Sequence, residues 1–180
     1  MTAGAPILGA IVAGGQARRF GSDKALALYQ GKPLIGHAID TLRPQVAALV
    51  LCGRGHAGIE RIEDRPEPGL GPMGGINAAL HRAAASGLRG VLSVPVDVLP
   101  LPGDLVQRLG TDALACFDQQ FLVAFWPVEL AAEIDDYVTR GGRKPAELLD
   151  RLGARRVADP PGIANVNRPR DLARLGRDIF

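Results

Sequence analysis

Residues Ile7 to Val12 read ILGAIV, apolar at every position, and run directly into Ala13-Gly14-Gly15. A strand with one face in water alternates polar and apolar residues. One that is apolar throughout must be covered on both faces, as in a parallel sheet packed between helices. The same pattern returns in VAALVLC (Val46–Cys52) and in GVLSVPVD, which ends on Asp97. A shorter run, RIED (Arg61–Asp64), is a further strand candidate, and DALACF and FLVAFW read as two more, separated by DQQ. Between them lie helical stretches: PLIGHAIDTL with Pro33 at its start, Ile76 to Ala85, and PGDLVQRL with Pro102 near its first turn. The last third reads as three helices, Val128–Arg140, Pro145–Leu152 and Pro169–Leu175. Strand–helix alternation of this kind predicts an α/β fold with a mainly parallel central sheet. Ligands of such sheets bind beyond the carboxyl ends of the strands, which places the loop after Val12, the loop after Asp64, and Asp97 on one rim.

The chain has 180 residues, 47% of them hydrophobic and 22% charged. That suits a sizeable core, and with no internal repeat or long linker it predicts one domain over residues 1–180. A net charge of +2 gives no bulk electrostatic case for nucleic acid. Cys52 and Cys116 lie in apolar strand-like runs without metal-site spacing, as buried, reduced thiols would. No signal peptide or membrane-length apolar run is evident, so a soluble, cytoplasmic protein is expected, with neither membrane nor nucleic acid as partner.

The stretch AIVAGGQARRFGSDKALA has the ingredients of an anion cradle but the spacing of neither common phosphate loop. Its glycines are Gly14, Gly15 and Gly21, not G-x-G-x-x-G, and Gly21 is followed by Ser22-Asp23-Lys24 instead of the G-K-[ST] of a Walker loop. Glycines let backbone N–H groups approach a ligand, and Arg18, Arg19 and Lys24 supply positive charge. The alternative is a plain tight turn.

The longer segment VAGGQARRFGSDKALALYQGKPLIGHAI resembles the signature of the molybdenum cofactor guanylyltransferases, the MobA-type enzymes: L-A-G-G-x-x-x-R-[MF]-G-x-D-K followed by L-x-G-x-P-L-x-x-H. RIEDRPEPGLGPMGGI is similar to that family's E-D…G-P-L-A-G loop, SVPVDVLPLPGDLVQRL to its strand ending in C-D-x-P-x-x-P, and NVNRPRDLARL to its closing N-[IV]-N-T-P-E-[DE]-L. The matches keep their order from about residue 7 to 175. The resemblance implies a Rossmann-like three-layer nucleotidyltransferase domain that transfers GMP from GTP to molybdopterin and releases pyrophosphate, with Mg²⁺ as cofactor. It further implies GTP and molybdopterin or Mo-molybdopterin as partners, with molybdenum insertase or molybdoenzyme chaperones as protein partners.

Residue by residue, the resemblance assigns Ala13, Gly14 and Gly15 to the guanine and ribose side, and Arg19 and Lys24 to the triphosphate. Asp97 becomes the Mg²⁺ ligand, against the alternative of a helix cap near Pro102. Asp64 contacts guanine or ribose, or else is a solvated turn residue. Gly71 with Gly74-Gly75 lets backbone approach the nucleotide, or simply serves the loop before a helix. Asn165 and Asn167 lie near the metal or the pterin acceptor, or form the turn into the helix at Pro169. Arg143 matches a family arginine that faces the acceptor, with a surface arginine as the alternative. His37 reads as a packing residue and Trp126 as core.

The chain also departs from the pattern: Val98-Leu99 precedes Pro100 where the family has D-x-P, Cys52 stands at an asparagine near the base, and Arg168-Pro169 replaces T-P. Two other readings follow. One is a cytidylyltransferase of the same superfamily acting on molybdopterin, which tends toward L-A-A-G and lacks the aspartate of Ser22-Asp23-Lys24. The other is a non-catalytic nucleotide-binding partner in molybdoenzyme maturation, which loss of Lys24 or Asp97 would have favoured. A D-x-D glycosyltransferase is disfavoured by the single aspartate of PVDVLP.

Overall fold

The computed structural model describes residues 5–13, 24–56 and 58–175. In chain order the strands are β1 Ala5–Val12, β2 Leu28–Tyr29, β3 Lys32–Pro33, β4 Val46–Cys52, β5 Glu60–Ile62, β6 Gly90–Pro95, β7 Val98–Leu99, β8 Ala115–Phe117, β9 Ala124–Pro127, β10 Arg155–Val157 and β11 Ala164–Asn165. The α-helices are α1 Leu34–Leu42, α2 Pro72–Ala85, α3 Leu105–Leu109, α4 Ala131–Thr139, α5 Pro145–Arg151 and α6 Pro169–Leu175. Among the described residues the main sheet has seven strands in the order β10-β8-β9-β6-β1-β4-β5. β1 pairs parallel with both β4 and β6, β4 with β5, and β8 with β10; β9 runs antiparallel to its neighbours β6 and β8. Two short antiparallel ribbons, β2–β3 and β7–β11, stand apart from it.

The unbroken apolar run of β1 is explained by its two covered faces. Ile7 and Ile11 pack into one core with Leu34, Ile35 and Leu42 of α1 and Leu105 and Leu109 of α3. Leu8, Ala10 and Val12 enter the other core with Met73, Ile76 and Leu80 of α2, Ile134 and Val138 of α4, and Leu148 and Leu149 of α5. Successive strand residues point to opposite faces, so one hexapeptide serves both layers. Each large side chain buried there contributes about 1.5–3 kcal/mol of transfer free energy. Trp126 is core as expected; its indole N–H donates to Ser93 Oγ at 2.9 Å, and that hydroxyl donates in turn to Leu122 O at 2.7 Å.

The element boundaries differ from expectation in places with local causes. α2 begins at Pro72, one turn before Ile76, because Pro72 takes the first helical position and the glycine pair continues the helix. Those glycines are demanded by contact: a Cβ on Gly74 would lie 2.8 Å from Asp64 Cβ, and one on Gly75 2.7 Å from Cys52 Cβ. β6 stops at Pro95, and the chain leaves the sheet so that Val98-Leu99 pairs with Ala164-Asn165. α3 starts at Leu105, three residues after Pro102, beyond helix-disfavouring Gly103. β10 carries two exposed arginines at the sheet edge, so it lacks the apolar signal that marks the other main strands.

Candidate active site

From β1 the chain first builds outward to β4 and β5, then crosses to β6 on the other side of β1. The order therefore reverses between β1 and β6, and their carboxyl ends open the crevice where α/β sheets bind ligands. Backbone bonds carry the rim one residue past the strands: Ala13 N–H donates to Cys52 O at 3.2 Å, and Val96 N–H to Val12 O at 3.1 Å. Ala13 and Asp97 thus stand just beyond the ends of the adjacent strands β1 and β6, at the switch point. Residues 14–23, among them Gly14, Gly15, Arg18, Arg19 and Asp23, lie outside the described residues.

Three sequence motifs meet at Asp97. Lys24, opening a 3₁₀ turn over Lys24–Leu26, donates from Nζ to Asp97 Oδ2 at 2.6 Å and to Asn167 Oδ1 at 3.4 Å. The partners are 73 and 143 residues away in the chain. Both members of the ion pair are largely enclosed, with side-chain exposures of 16% and 21%. The closing motif is delivered by its backbone: Asn165 pairs with Val98 across the β7–β11 ribbon, and Val166 N–H donates to Asp97 O at 2.7 Å. Asp171 then accepts N–H bonds from Asn167 and Arg168 at 2.9 and 2.8 Å, reaching back from the third position of α6 as one half of a capping box does. Asp171 was missed in the sequence, although Pro169 at the first helical position with an acid two residues later is the signal that would find it.

A second group lies at the other end of the rim, after β5. Asp64 Oδ2 accepts the N–H groups of Gly69 and Leu70 at 3.1 and 3.0 Å, which closes the loop on itself. Gly71, with φ +68°, precedes α2 in a conformation that other residues seldom adopt, and its carbonyl accepts from Gly74 N at 3.1 Å. Between the two groups sits Cys52, whose thiol is buried against α2 and donates to Gly75 O at 3.5 Å. Burial, with the Asp64 charge adding to it, pushes this thiol up to about 12. Cys52 is therefore expected to stay unmodified by iodoacetamide at pH 8 in the native protein and to react fully once denatured; mass spectrometry of the alkylated chain checks this, and rapid native labelling would contradict the packing.

The remaining expectations separate cleanly. His37 Nε2 lies 2.8 Å from Tyr29 O, and its ring is 5.5 Å from that of Tyr29, as a packing residue. Arg143 turns its guanidinium onto the end of α4, donating to Val138 O and Gly142 O at 2.7 and 2.8 Å. Asp97 caps no helix, since α3 begins at Leu105. Among the described residues, no group of three or more His, Cys, Asp or Glu side chains is placed to hold a metal ion. No described helix is long and apolar enough to cross a membrane.

Comparison with known proteins bears on the family and the fold. Residues 9–157 match the model of the MobA-like NTP transferase domain. A molybdenum cofactor guanylyltransferase of Rhodobacter capsulatus is 40% identical, over 93% of this chain and 94% of that protein. One from Acidiphilium cryptum is 35% identical over 97% of both. Among solved structures, molybdopterin-guanine dinucleotide biosynthesis protein A of Archaeoglobus fulgidus superposes with a TM-score of 0.74 at 22% identity, over 96% of this chain and 98% of that one. The 2-C-methyl-D-erythritol 4-phosphate cytidylyltransferase of Thermus thermophilus superposes at 0.64 and 16%, over 95% and 97%, so the fold alone does not separate guanylyl from cytidylyl transfer. Match length and identity together place this chain in the MobA-like NTP transferase family, as a nucleotidyltransferase.

Proposed function

We propose that this chain transfers GMP from GTP to molybdopterin, forming the guanine dinucleotide cofactor and pyrophosphate. The observation that carries the reading is the meeting of Lys24, Asp97 and Asn167 at the switch point. An oxygen of the acceptor's terminal phosphate attacks the α-phosphorus of GTP, the bond from that phosphorus to the bridging oxygen breaks, and pyrophosphate leaves with the electron pair. No protein nucleophile is needed. The chain's task is to align two anions and to meet the charge that gathers on the leaving group.

The fit of a divalent cation follows from the donor chemistry. Asp97 Oδ2 and Asn167 Oδ1 already converge on one positive charge, the Lys24 ammonium, and both are the hard oxygen donors that Mg²⁺ takes. Asp97 would hold the Mg²⁺, with Asn167 beside it; when bound, the ion neutralises phosphate oxygens of the nucleotide. Lys24 exchanges Asp97 for the triphosphate, and Arg19 adds a second positive charge there. Ala13, Gly14 and Gly15 bring backbone to the guanine and ribose, and the Asp64–Gly71 loop meets the base from the β5 side. Asn165 and Asn167 face the acceptor beyond β7. Cys52, buried as it is, leaves the reading of guanine to backbone groups and to that loop. The same reading makes the chain a single cytoplasmic domain, handing its product to molybdoenzyme chaperones or receiving its acceptor from the insertase.

The test is pyrophosphate release from each of the four NTPs with molybdopterin and Mg²⁺. GTP is expected to support turnover at least tenfold better than the others. Turnover with CTP and not with GTP would move the chain to the cytidylyl branch, and none with any NTP would make it a binding protein.

A further inference from the structure

The seam between α2 and α4 holds a polar cluster to which the site as described gives no role. Asn77 is completely buried on a helix whose neighbouring core residues are Met73, Ile76 and Leu80. Its Nδ2 donates to Asp135 Oδ1 at 2.6 Å and to Arg65 O at 3.4 Å. Both partners are acceptors, which sets the amide orientation, and leaves its Oδ1 buried without a partner. One turn along α2, His81 Nε2 lies 2.7 Å from Asp135 Oδ2, while Arg65 Nε stands 3.9 Å from Asp135 Oδ1. Burial would raise the Asp135 carboxyl, but the hydrogen bonds from Asn77 and His81 outweigh it and hold the group below the usual carboxylate range. Asp135 is thus an ionised anchor on α4 for side chains of α2.

Apolar packing gives no reason for an asparagine here. Leucine has nearly the same shape, would bury apolar surface in the seam, and would remove an orphaned acceptor that costs free energy. What asparagine supplies is a bridge from Asp135 to the Arg65 carbonyl. Arg65 follows Asp64, and its own N–H donates to Gly74 O at 3.1 Å. The start of the β5–α2 loop is therefore held to α2 through both the N–H and the carbonyl of Arg65, and Asp64 closes the rest of the loop through Gly69 and Leu70.

We propose that Asn77, anchored by Asp135, is a positioning residue for recognition of the nucleotide base: it holds the Arg65 carbonyl so that the Asp64–Gly71 loop is set before the base arrives. This rests on the guanylyl-transfer reading, which puts the base at that loop and the phosphates at Lys24 and Asp97. Loss of the anchor costs affinity for the base and leaves the phosphate end untouched, because the two groups stand on opposite sides of β1 and β4.

Calorimetric titration of GTP and of inorganic triphosphate, each with Mg²⁺, into wild type, Asn77→Leu and Asp135→Ala tests this. Both variants should bind GTP about five- to tenfold more weakly, the loss of one net hydrogen bond, and bind triphosphate as wild type does. Asn77→Leu gives up the bond to Asp135 and is expected to melt a little lower than wild type while staying folded at the titration temperature, which thermal unfolding checks. Asp135 is one-third exposed, so its truncation is tolerated even if the leucine is not. Unchanged GTP affinity in the folded variants would overturn the proposal, as would parallel loss of GTP and triphosphate binding, the mark of a purely structural residue. If wild type binds another nucleotide in place of GTP, the guanylyl reading fails, and the same comparison with that nucleotide still decides whether Asn77 positions the loop.

Discussion

Asp97→Asn is expected to reduce GMP transfer by at least a hundredfold and to leave the fold intact. The substitution keeps the shape of the side chain and removes its charge; on the proposed reading Mg²⁺ then loses its carboxylate, and deleting one preorganised charge-stabilising group typically costs about 10²–10³ in rate. Saturating Mg²⁺ should not restore the rate, since Asn167 and the nucleotide offer too little charge in its place. The stability cost is modest, on the order of 1 kcal/mol, because Lys24 loses its partner where both side chains keep some access to water. Steady-state transfer assays paired with urea unfolding check both halves. Activity within a few-fold of wild type would remove Asp97 from the metal site.

Lys24→Met should move two measurements in opposite directions. On the proposed reading the triphosphate loses a cation in the transfer reaction, and a fall in kcat/KM of about a hundredfold is expected. In nucleotide-free protein, Asp97 loses the ammonium 2.6 Å away that competes with any other cation for its Oδ2. Binding of Mn²⁺ as a probe, followed by electron paramagnetic resonance, should therefore strengthen relative to wild type and vanish in Lys24→Met/Asp97→Asn. Weaker Mn²⁺ binding in Lys24→Met would show that the lysine supports the cation and does not displace it, against the exchange proposed above. The expectation follows from Coulomb's law alone: one carboxylate oxygen does not serve two adjacent cations without repulsion between them.

Much of this was legible in the chain because the signals are local. The apolar run of β1 required two covered faces, VAALVLC matched β4 residue for residue, and the carboxyl-end rule put Asp64 and Asp97 on one rim. Short or polar elements were not legible. β10 is three residues with two exposed arginines, and the β2–β3 and β7–β11 ribbons are two residues per strand, held by pairing and carrying no period of their own. Asn77 passed as one residue of a helical stretch, because nothing in INAAL says that it faces Asp135 at a separation of 58 residues.

The sequence by itself determined the layers, the mainly parallel sheet and the family, since these depend on periodicity and on motifs read along the chain. Only the tertiary structure decided which motifs act together. Lys24, Asp97 and Asn167 converge because β1 and β6 are adjacent and because the β7–β11 ribbon returns the last motif to the rim. It also decided that Cys52 points its thiol into the α2 seam. Both outcomes depend on strand order and on side-chain direction at the rim. Those are properties of contacts between distant segments, for which no stretch of sequence carries a local signal.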